Sequence, residues 1–226
     1  MKPHNIELII FDCDGTLADS EDLNNQATAD ILSAAGYPQY DYDFCMNELV
    51  GKDMTSVKKY IEEKENKKLP DDFIQQFIQL VLERLHGGLK PVLGAEMAVD
   101  TLSKHYKVCV ASNGERNNVL SSVRAISLYD YFGDDRIFTK SQVLRGKPAP
   151  DLFLFAAEQM GVDPARCVVV EDSMAGVGAG LAAGMLTIGI TTVSHDPEQI
   201  RKDMKNAGVV HILDSWPEIT KFIQAL

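Results

Sequence analysis

Short runs of apolar, mostly β-branched residues recur along this sequence, with helical patterns between them. The runs are Ile6–Phe11, Lys107–Ala111, Ile137–Phe138, Cys167–Val170, Met185–Ile190 and Val209–Leu213. Segments so uniformly apolar suit strands that are buried on both faces, as in a parallel sheet covered by helices. The alternation therefore predicts an α/β fold, a Rossmann-like parallel sheet flanked by helices.

One long segment interrupts this alternation. Between about residues 20 and 86 no buried strand is apparent, and apolar residues recur instead at helical spacing, as at Leu23, Ala27 and Ile31. Loop residues flank the segment, with Gly15–Thr16 before it and Gly87–Gly88 after it. We therefore predict a helical cap domain at 19–87, inserted into an α/β catalytic core formed by residues 1–18 and 88–226.

Net charge and cysteine content restrict the partners and the cell compartment expected of this chain. The 226 residues carry a formal net charge of -11, which disfavours nucleic acid and anionic membranes as partners because the field repels phosphates. The four cysteines form no C-x-x-C pair, and the N-terminal apolar segment is too short for a signal peptide or a membrane helix. A cytoplasmic protein is expected. A monomer is the default, because pattern alone separates no exposed apolar stripe from the core.

Acidic residues follow two of the predicted strands. Asp12 and Asp14 stand where the first strand ends, and Glu171 and Asp172 follow the run Cys167–Val170. Ligands of open parallel sheets bind beyond the carboxyl ends of the strands, so the four carboxylates should meet at one edge. They would repel one another unless a hard divalent cation such as Mg²⁺ lay between them. A magnesium site is predicted there.

Two further residues are placed to bind an anion at the same edge. Ser112 follows the run Lys107–Ala111, and Lys147 lies in a Gly-Lys-Pro turn. Simpler interpretations stay open for residues taken singly. An Asp-x-Asp sequence can form a turn or cap a helix, and Glu171–Asp172 can cap the helix that follows.

Taken together, these motifs resemble a known family. DCDGT, Ser112 after a hydrophobic strand, Lys147 in GKPAPD and Glu171–Asp172 in VVVEDSMAGVGAG are similar to the four ordered motifs of the haloacid dehalogenase superfamily. The resemblance extends from Asp12 to about Gly184. The continuation DGTLADSE and the helical segment after it resemble the subgroup with a helical cap, which includes β-phosphoglucomutase, phosphoglycolate phosphatase and many sugar-phosphate phosphatases.

The resemblance implies phosphoryl transfer in two steps. Asp12 is then the nucleophile that forms an aspartyl-phosphate, and Asp14 protonates the leaving alcohol and later activates water. Mg²⁺ is held by the Asp12 carboxylate, the Asp14 main-chain carbonyl and Asp172, with Glu171 close by. Asp14 also argues against dehalogenation, because the dehalogenases of this superfamily lack an aspartate at that position.

The resemblance also implies a phosphate site and a source of specificity. Ser112 and Lys147 hold the phosphoryl oxygens, and the main chain around Cys13 and Asn113 assists. The cap is expected to select the substrate, and its residues Asn24 and Lys52 are candidates to face the leaving group.

The predicted activity is Mg²⁺-dependent hydrolysis of a small phosphorylated metabolite, a sugar or sugar-acid phosphate. The alternative is a mutase of the β-phosphoglucomutase type, whose cap carries a histidine and an arginine. Asn24 stands at the histidine position, and the segment Gly51–Met54 contains no arginine. A non-catalytic phosphate-binding protein is the third hypothesis, which activity on a generic phosphate ester would exclude.

Overall fold

A parallel sheet forms the centre of the larger part of the molecule. The computed structural model describes residues 5–49, 52 and 54–226, with the backbone alone at 85–87. Within these residues, six strands run parallel in the order β5-β4-β1-β6-β7-β8. Their bounds are β1 Leu8–Phe11, β4 Lys107–Ser112, β5 Ile137–Thr139, β6 Cys167–Glu171, β7 Leu186–Ile190 and β8 His211–Leu213, while β2 Ala18–Asp19 and β3 Lys90–Pro91 form a separate antiparallel pair.

Helices connect these strands and cover the sheet. They are α5 Ala95–Ser103, α6 Arg116–Ala125, α7 Tyr129–Phe132, α8 Asp151–Met160, α9 Met174–Ala182, α10 Pro197–Asn206 and α11 Trp216–Gln224, with short 3-10 helices at Lys140–Gln142 and Pro164–Arg166. All four residues of β1 are fully buried, as expected of a central strand covered on both faces. The predicted fold class, a Rossmann-like parallel sheet flanked by helices, is confirmed.

The chain divides into two compact units. One comprises the described residues up to Asp19 together with Lys90–Leu226, and the other comprises Ser20–Leu89. The second unit is helical, and a buried cluster that includes Leu32, Ile61 and Phe73 forms its core. Its elements are α1 Ser20–Ala34, α2 Tyr42–Phe44, a π-helical turn Cys45–Leu49, α3 Met54–Glu65 and α4 Phe73–Gly88. Its role as a cap stays a prediction.

No helix in the described part of the chain is both long and apolar enough to cross a bilayer. Residues 1–4, which belong to the predicted core segment 1–18, lie outside the described residues.

The strand order brings the predicted site segments together. β1 pairs with β4 on one side and with β6 on the other, so the loops after all three strands leave the same edge of the sheet. The Asp12 N–H continues the ladder by donating to Val170 O at 3.0 Å. Both neighbouring strands are longer than predicted, because β4 includes Ser112 and β6 includes Glu171. The main chain of both residues is therefore held by strand pairing.

Candidate active site

A buried ion cluster occupies the carboxyl edge of the sheet. The Lys147 ammonium donates to Asp12 Oδ1 at 2.5 Å and to Glu171 Oε1 at 2.6 Å. Its side chain is only 3% exposed, and that of Glu171 only 1%. Charges this deeply buried require such partners, because water does not solvate them. The cluster brings together residues from three separate segments of the sequence.

Three carboxylates in this cluster lie close enough to share one cation. Single oxygens of Asp12, Glu171 and Asp172 all lie within 4.8 Å of one another. With the Lys147 ammonium, these carboxylates leave a net charge of about -2 when ionised, which a divalent cation would balance. Hard oxygen ligands suit Mg²⁺. Among the described residues, the Asp14 carboxylate is not part of this group, so three of the four carboxylates predicted to meet at this edge lie close enough to share a cation.

Burial and uncompensated negative charge raise the pKa of two of these acids. Burial, followed by repulsion from Glu171, raises the pKa of Asp12 to about 7, although Lys147 acts in the opposite direction. Burial and the charges of Glu171 and Asp12 likewise raise the pKa of Asp172 well above its ordinary value. Burial acts to lower the pKa of Lys147, but the adjacent carboxylates outweigh it and the pKa is raised.

Two hydroxyl groups orient the carboxylates. Thr16 Oγ1 donates to Asp172 Oδ1 at 3.0 Å, and Ser173 donates to Glu171 Oε2 through both its main-chain N–H, at 3.0 Å, and its hydroxyl, at 2.9 Å. Ser173 is also the N-cap of α9, where its Oγ accepts from the Gly176 N–H. The capping interpretation of Glu171–Asp172 is therefore wrong, because the next residue along performs that role. Ser173 was missed although serine is a common N-cap.

The loop after β1 separates the two aspartates that the sequence places close together. The strand ends at Phe11, and Asp12 is buried while Asp14 is exposed. The two carboxylates therefore differ in their exposure to solvent although only Cys13 separates them in sequence. The Gly15 N–H donates to Ala18 O at 2.8 Å, which closes a tight turn. Gly15 has φ +81°, and a Cβ there would lie 2.1 Å from Asp172 Oδ2, so only glycine fits.

Ser112 and Asn113 lie beside this loop but use their side chains differently. Ser112 is buried, and its Oγ accepts from the Gly114 N–H at 3.0 Å, which leaves the hydroxyl hydrogen for another acceptor. A Cβ built on Gly114 would lie 3.3 Å from Ser112 Oγ and 3.9 Å from Asp14 Oδ2, so these groups share one corner. The Asn113 amide instead hydrogen-bonds the main chain of Lys147.

Two supporting aromatic residues had no local sequence pattern that could reveal them. The Lys147 ammonium lies 4.8 Å from the centre of the Phe153 ring, a favourable cation–π position. Trp216 is fully buried, donates from Nε1 to Thr16 O at 3.1 Å, and packs edge-on against Phe11. Both residues fix groups that lie next to the carboxylates.

The predicted specificity residues lie in the helical unit Ser20–Leu89. Asn24 is half-buried in α1, and its carbonyl accepts from Thr28 Oγ1 at 2.8 Å. Lys52 is exposed, donates to Glu48 O, and has its ammonium 5.8 Å from the centre of the Tyr60 ring. A role for either residue in substrate selection stays a prediction.

The fold and the site define a class of α/β enzyme whose acidic centre lies at the carboxyl edge of a parallel sheet. Residues 9–190 match the family model of the haloacid dehalogenase-like hydrolases, and the chain belongs to that family. The predicted family is confirmed.

Named relatives describe the enzyme class. Escherichia coli 6-phosphogluconate phosphatase is 29% identical over 80% of this chain and 80% of its own length. Fructose-1-phosphate phosphatase YqaB, from the same organism, is 31% identical over 78% of this chain and 92% of its own. The Arabidopsis thaliana protein SUPPRESSOR OF QUENCHING 1, chloroplastic, is 31% identical over 96% of this chain, which spans 21% of that relative's length. The predicted enzyme class, a phosphatase of the haloacid dehalogenase type, is confirmed.

Two solved structures are similar to this chain over nearly all of its length. A haloacid dehalogenase family hydrolase from Deinococcus radiodurans, solved with bound phosphate and sodium, is similar with a TM-score of 0.83 at 29% identity and covers 98% of this chain and 96% of its own. A β-phosphoglucomutase-like protein from Thermotoga maritima gives a TM-score of 0.81 at 27% identity, covering 98% and 100%.

Proposed function

We propose that the protein is a Mg²⁺-dependent phosphatase that hydrolyses a small sugar phosphate or sugar-acid phosphate through an aspartyl-phosphate on Asp12. The observation that carries the proposal is the meeting of Asp12, Glu171 and Asp172 around the buried Lys147 ammonium. A site with three carboxylates repels a phosphate unless cations balance their charge. The lysine supplies one positive charge, and the carboxylates are suited to bind the divalent cation that supplies the rest.

In the first step Asp12 attacks the phosphorus of the bound ester. One Asp12 oxygen accepts from Lys147, and the second forms the new P–O bond while the bond from phosphorus to the leaving oxygen breaks. Asp14 donates a proton to that leaving oxygen, so the product departs as a neutral alcohol. Ser112 and Lys147 donate hydrogen bonds to the phosphoryl oxygens, where negative charge accumulates.

In the second step water replaces Asp12 on phosphorus. Asp14, now a carboxylate, takes a proton from the water as its oxygen bonds to phosphorus and the P–O bond to Asp12 breaks. Orthophosphate leaves, and both aspartates return to their starting states. Asp14 suits this exchange because its carboxylate is exposed, whereas the nucleophile is buried.

The metal ligands in this proposal are the carboxylates of Asp12 and Asp172 and the main-chain carbonyl of Asp14, with Glu171 close by. When bound there, Mg²⁺ offsets the repulsion between an anionic nucleophile and an anionic phosphate. The raised pKa values of Asp12 and Asp172 support the fit, because they indicate negative charge that Lys147 alone does not balance.

The substrate class follows from chemistry shared by the named relatives. One acts on 6-phosphogluconate, one on fructose 1-phosphate, and a Streptomyces hygroscopicus relative, 27% identical over 94% of this chain, on validoxylamine A 7'-phosphate. These compounds are phosphate esters of small polyhydroxylated molecules. We expect such an ester here.

A mutase is the second candidate, favoured by the similarity to the β-phosphoglucomutase-like structure from Thermotoga maritima. Asn24 stands where such a mutase has histidine, which argues for hydrolysis. Gly51 and Asp53, in the segment where an arginine is expected of a mutase, lie outside the described residues, and neither is arginine.

Phosphate release from a panel of esters tests the proposal. The panel contains hexose phosphates, 6-phosphogluconate, phosphoglycolate and a nucleotide, each assayed with Mg²⁺ and with a chelator. We expect Mg²⁺-dependent release that is fastest with a sugar or sugar-acid phosphate. Interconversion of hexose 1- and 6-phosphates without release would favour the mutase, and no reaction with any ester would favour a phosphate-binding protein. If Lys52→Ala left the relative rates on this panel unchanged, Lys52 would have no role in specificity.

The stabilisation of the protein by Mg²⁺ should depend on pH. The pKa of Asp12 is about 7 in the folded protein against an ordinary 3.8, so the folded state retains protons that the unfolded chain releases. Without cation, stability therefore falls as pH rises from about 4 to about 7. Because Mg²⁺ replaces those protons, it should raise the melting temperature more at about pH 8 than at about pH 5.

Differential scanning calorimetry with and without Mg²⁺ at both pH values measures this effect. Asp172→Asn is the control that should reduce the Mg²⁺-induced shift. An equal shift at the two pH values would mean that the cation binds elsewhere.

A further inference from the structure

The side-chain amide of Asn113 pairs with the main chain of Lys147. Asn113 Nδ2 donates to Lys147 O at 2.9 Å, and the Lys147 N–H donates to Asn113 Oδ1 at 2.9 Å. The amide thus satisfies both polar main-chain groups of one residue, as a neighbouring strand would. These two bonds join the loop after β4 to a loop 34 residues further along the chain.

Apart from the contacts of the Lys147 side chain with Asp12 and Glu171, the loop that carries Lys147 is held mainly by local contacts within the described part of the chain. It connects the 3-10 helix Lys140–Gln142 to α8, and its residues Pro148 and Pro150 have no N–H to donate. The Ala149 N–H donates to Gly146 O, and Arg145 forms a two-point ion pair with Asp151 at 2.8 and 3.1 Å. Both of these contacts lie within the loop or reach the start of α8, so they do not connect it to the sheet.

The preceding glycine allows Asn113 to approach closely. A Cβ on Gly146 would lie 2.5 Å from Asn113 Oδ1, so any larger residue there would displace the amide. At the other end of the Lys147 side chain, the ammonium lies between Asp12 and Glu171 with almost no solvent exposure. Because the ammonium is confined between two carboxylates, a shift of the Lys147 main chain would either strain the side chain or displace the ammonium.

We propose that Asn113 is a positioning residue, whose amide holds the Lys147 main chain so that the ammonium meets Asp12 and the phosphoryl group. This inference rests on the proposed phosphatase function. It assigns the Asn113 side chain a role separate from the assistance to phosphate that is predicted for the main chain of this residue. The residue acts on phosphoryl transfer through Lys147, and its contribution disappears when the lysine does.

A double-mutant cycle tests this role. Asn113→Ala should lower kcat/KM by about 10–100-fold, with the loss divided between kcat and KM in the same proportion as in Lys147→Met. In the Lys147→Met background, Asn113→Ala should change kcat/KM by less than about 2-fold. Asn117→Ala, at an exposed asparagine in the following helix, is the matched control and should leave the kinetics unchanged.

Gly146→Ala provides a second variant that alters neither partner. It should displace the Asn113 amide and reproduce the kinetic loss of Asn113→Ala, even if that variant folds poorly. Multiplicative losses in the double variant would overturn the proposal, because they would mean that Asn113 acts on phosphate independently of Lys147.

The affinity for orthophosphate is also measured by calorimetry for the parent, the two single variants and the double variant. If no ester is hydrolysed, the proposed function fails, while non-additive orthophosphate affinities would still support the positioning role. Additive affinities would contradict it.

Discussion

Asp12→Asn is expected to lower kcat on the best ester by about 10⁴–10⁶-fold while leaving the protein at least as stable as the parent. An amide cannot attack phosphorus to form an acyl-phosphate, so the covalent route is lost. The amide has the same shape, and its oxygen can still accept from Lys147, as Asp12 Oδ1 does. Burial raises the pKa of Asp12 to about 7, which means that its ionised form opposes folding at neutral pH. Removing that charge should therefore not destabilise the fold.

Steady-state phosphate release and thermal unfolding on the same preparations measure the two effects. Asp135→Asn, at an exposed aspartate before β5, is the matched control and should behave as the parent in both assays. Residual turnover within about 10-fold of the parent would show that another group is the nucleophile. A large loss of stability would mean instead that the ionised form of Asp12 supports the fold.

Lys147→Met is expected to lower both the activity and the free energy of unfolding, whereas Asp12→Asn lowers only the activity. Methionine keeps the hydrophobic stem near Phe153 but removes the positive charge between Asp12 and Glu171. Breaking a buried ion pair from one side costs about 3–5 kcal/mol, because it leaves a buried charge without its partner. Loss of a cationic donor to the phosphoryl group should lower kcat/KM by about 10²–10³-fold.

Urea unfolding at about pH 8 and about pH 5 tests the physical cause. The stability deficit of the variant should be smaller at the lower pH, because Asp12, whose pKa is raised to about 7, is then protonated and no longer needs a counterion. Lys104→Met, which removes an exposed ion pair with Asp100, is the matched control and should have a much smaller effect at both pH values. A deficit that did not change with pH would indicate lost packing instead of lost charge.

The two variants separate the contribution of a residue to catalysis from its contribution to stability within one cluster. Asp12 is proposed to carry the reaction at some cost to stability, whereas Lys147 balances the buried carboxylates and binds the phosphate. Active sites often contain residues that are unfavourable for folding, because their environment is arranged for reaction. The predicted contrast between the two substitutions is therefore more informative than either alone.

The sequence by itself determined the fold class and the segments that form the candidate site. Apolar runs report strands that are buried on both faces, and polar residues directly after them mark the edge where ligands bind. This pattern is sufficient to place Asp12, Ser112 and Glu171 at the ends of three neighbouring strands. It reports burial and period along the chain, both of which are local properties.

Only the tertiary structure decided which of these residues touch. Lys147 meets Asp12 across 135 positions of sequence, and no local pattern encodes such a distance. The same holds for Trp216, which donates to Thr16 O across 200 positions. Asp12 and Asp14 lie one residue apart after the same strand, but the first is buried and the second, next to the turn closed by Gly15, is exposed. Contacts of this kind depend on how distant segments pack, because packing sets the directions of side chains once the strands have ended.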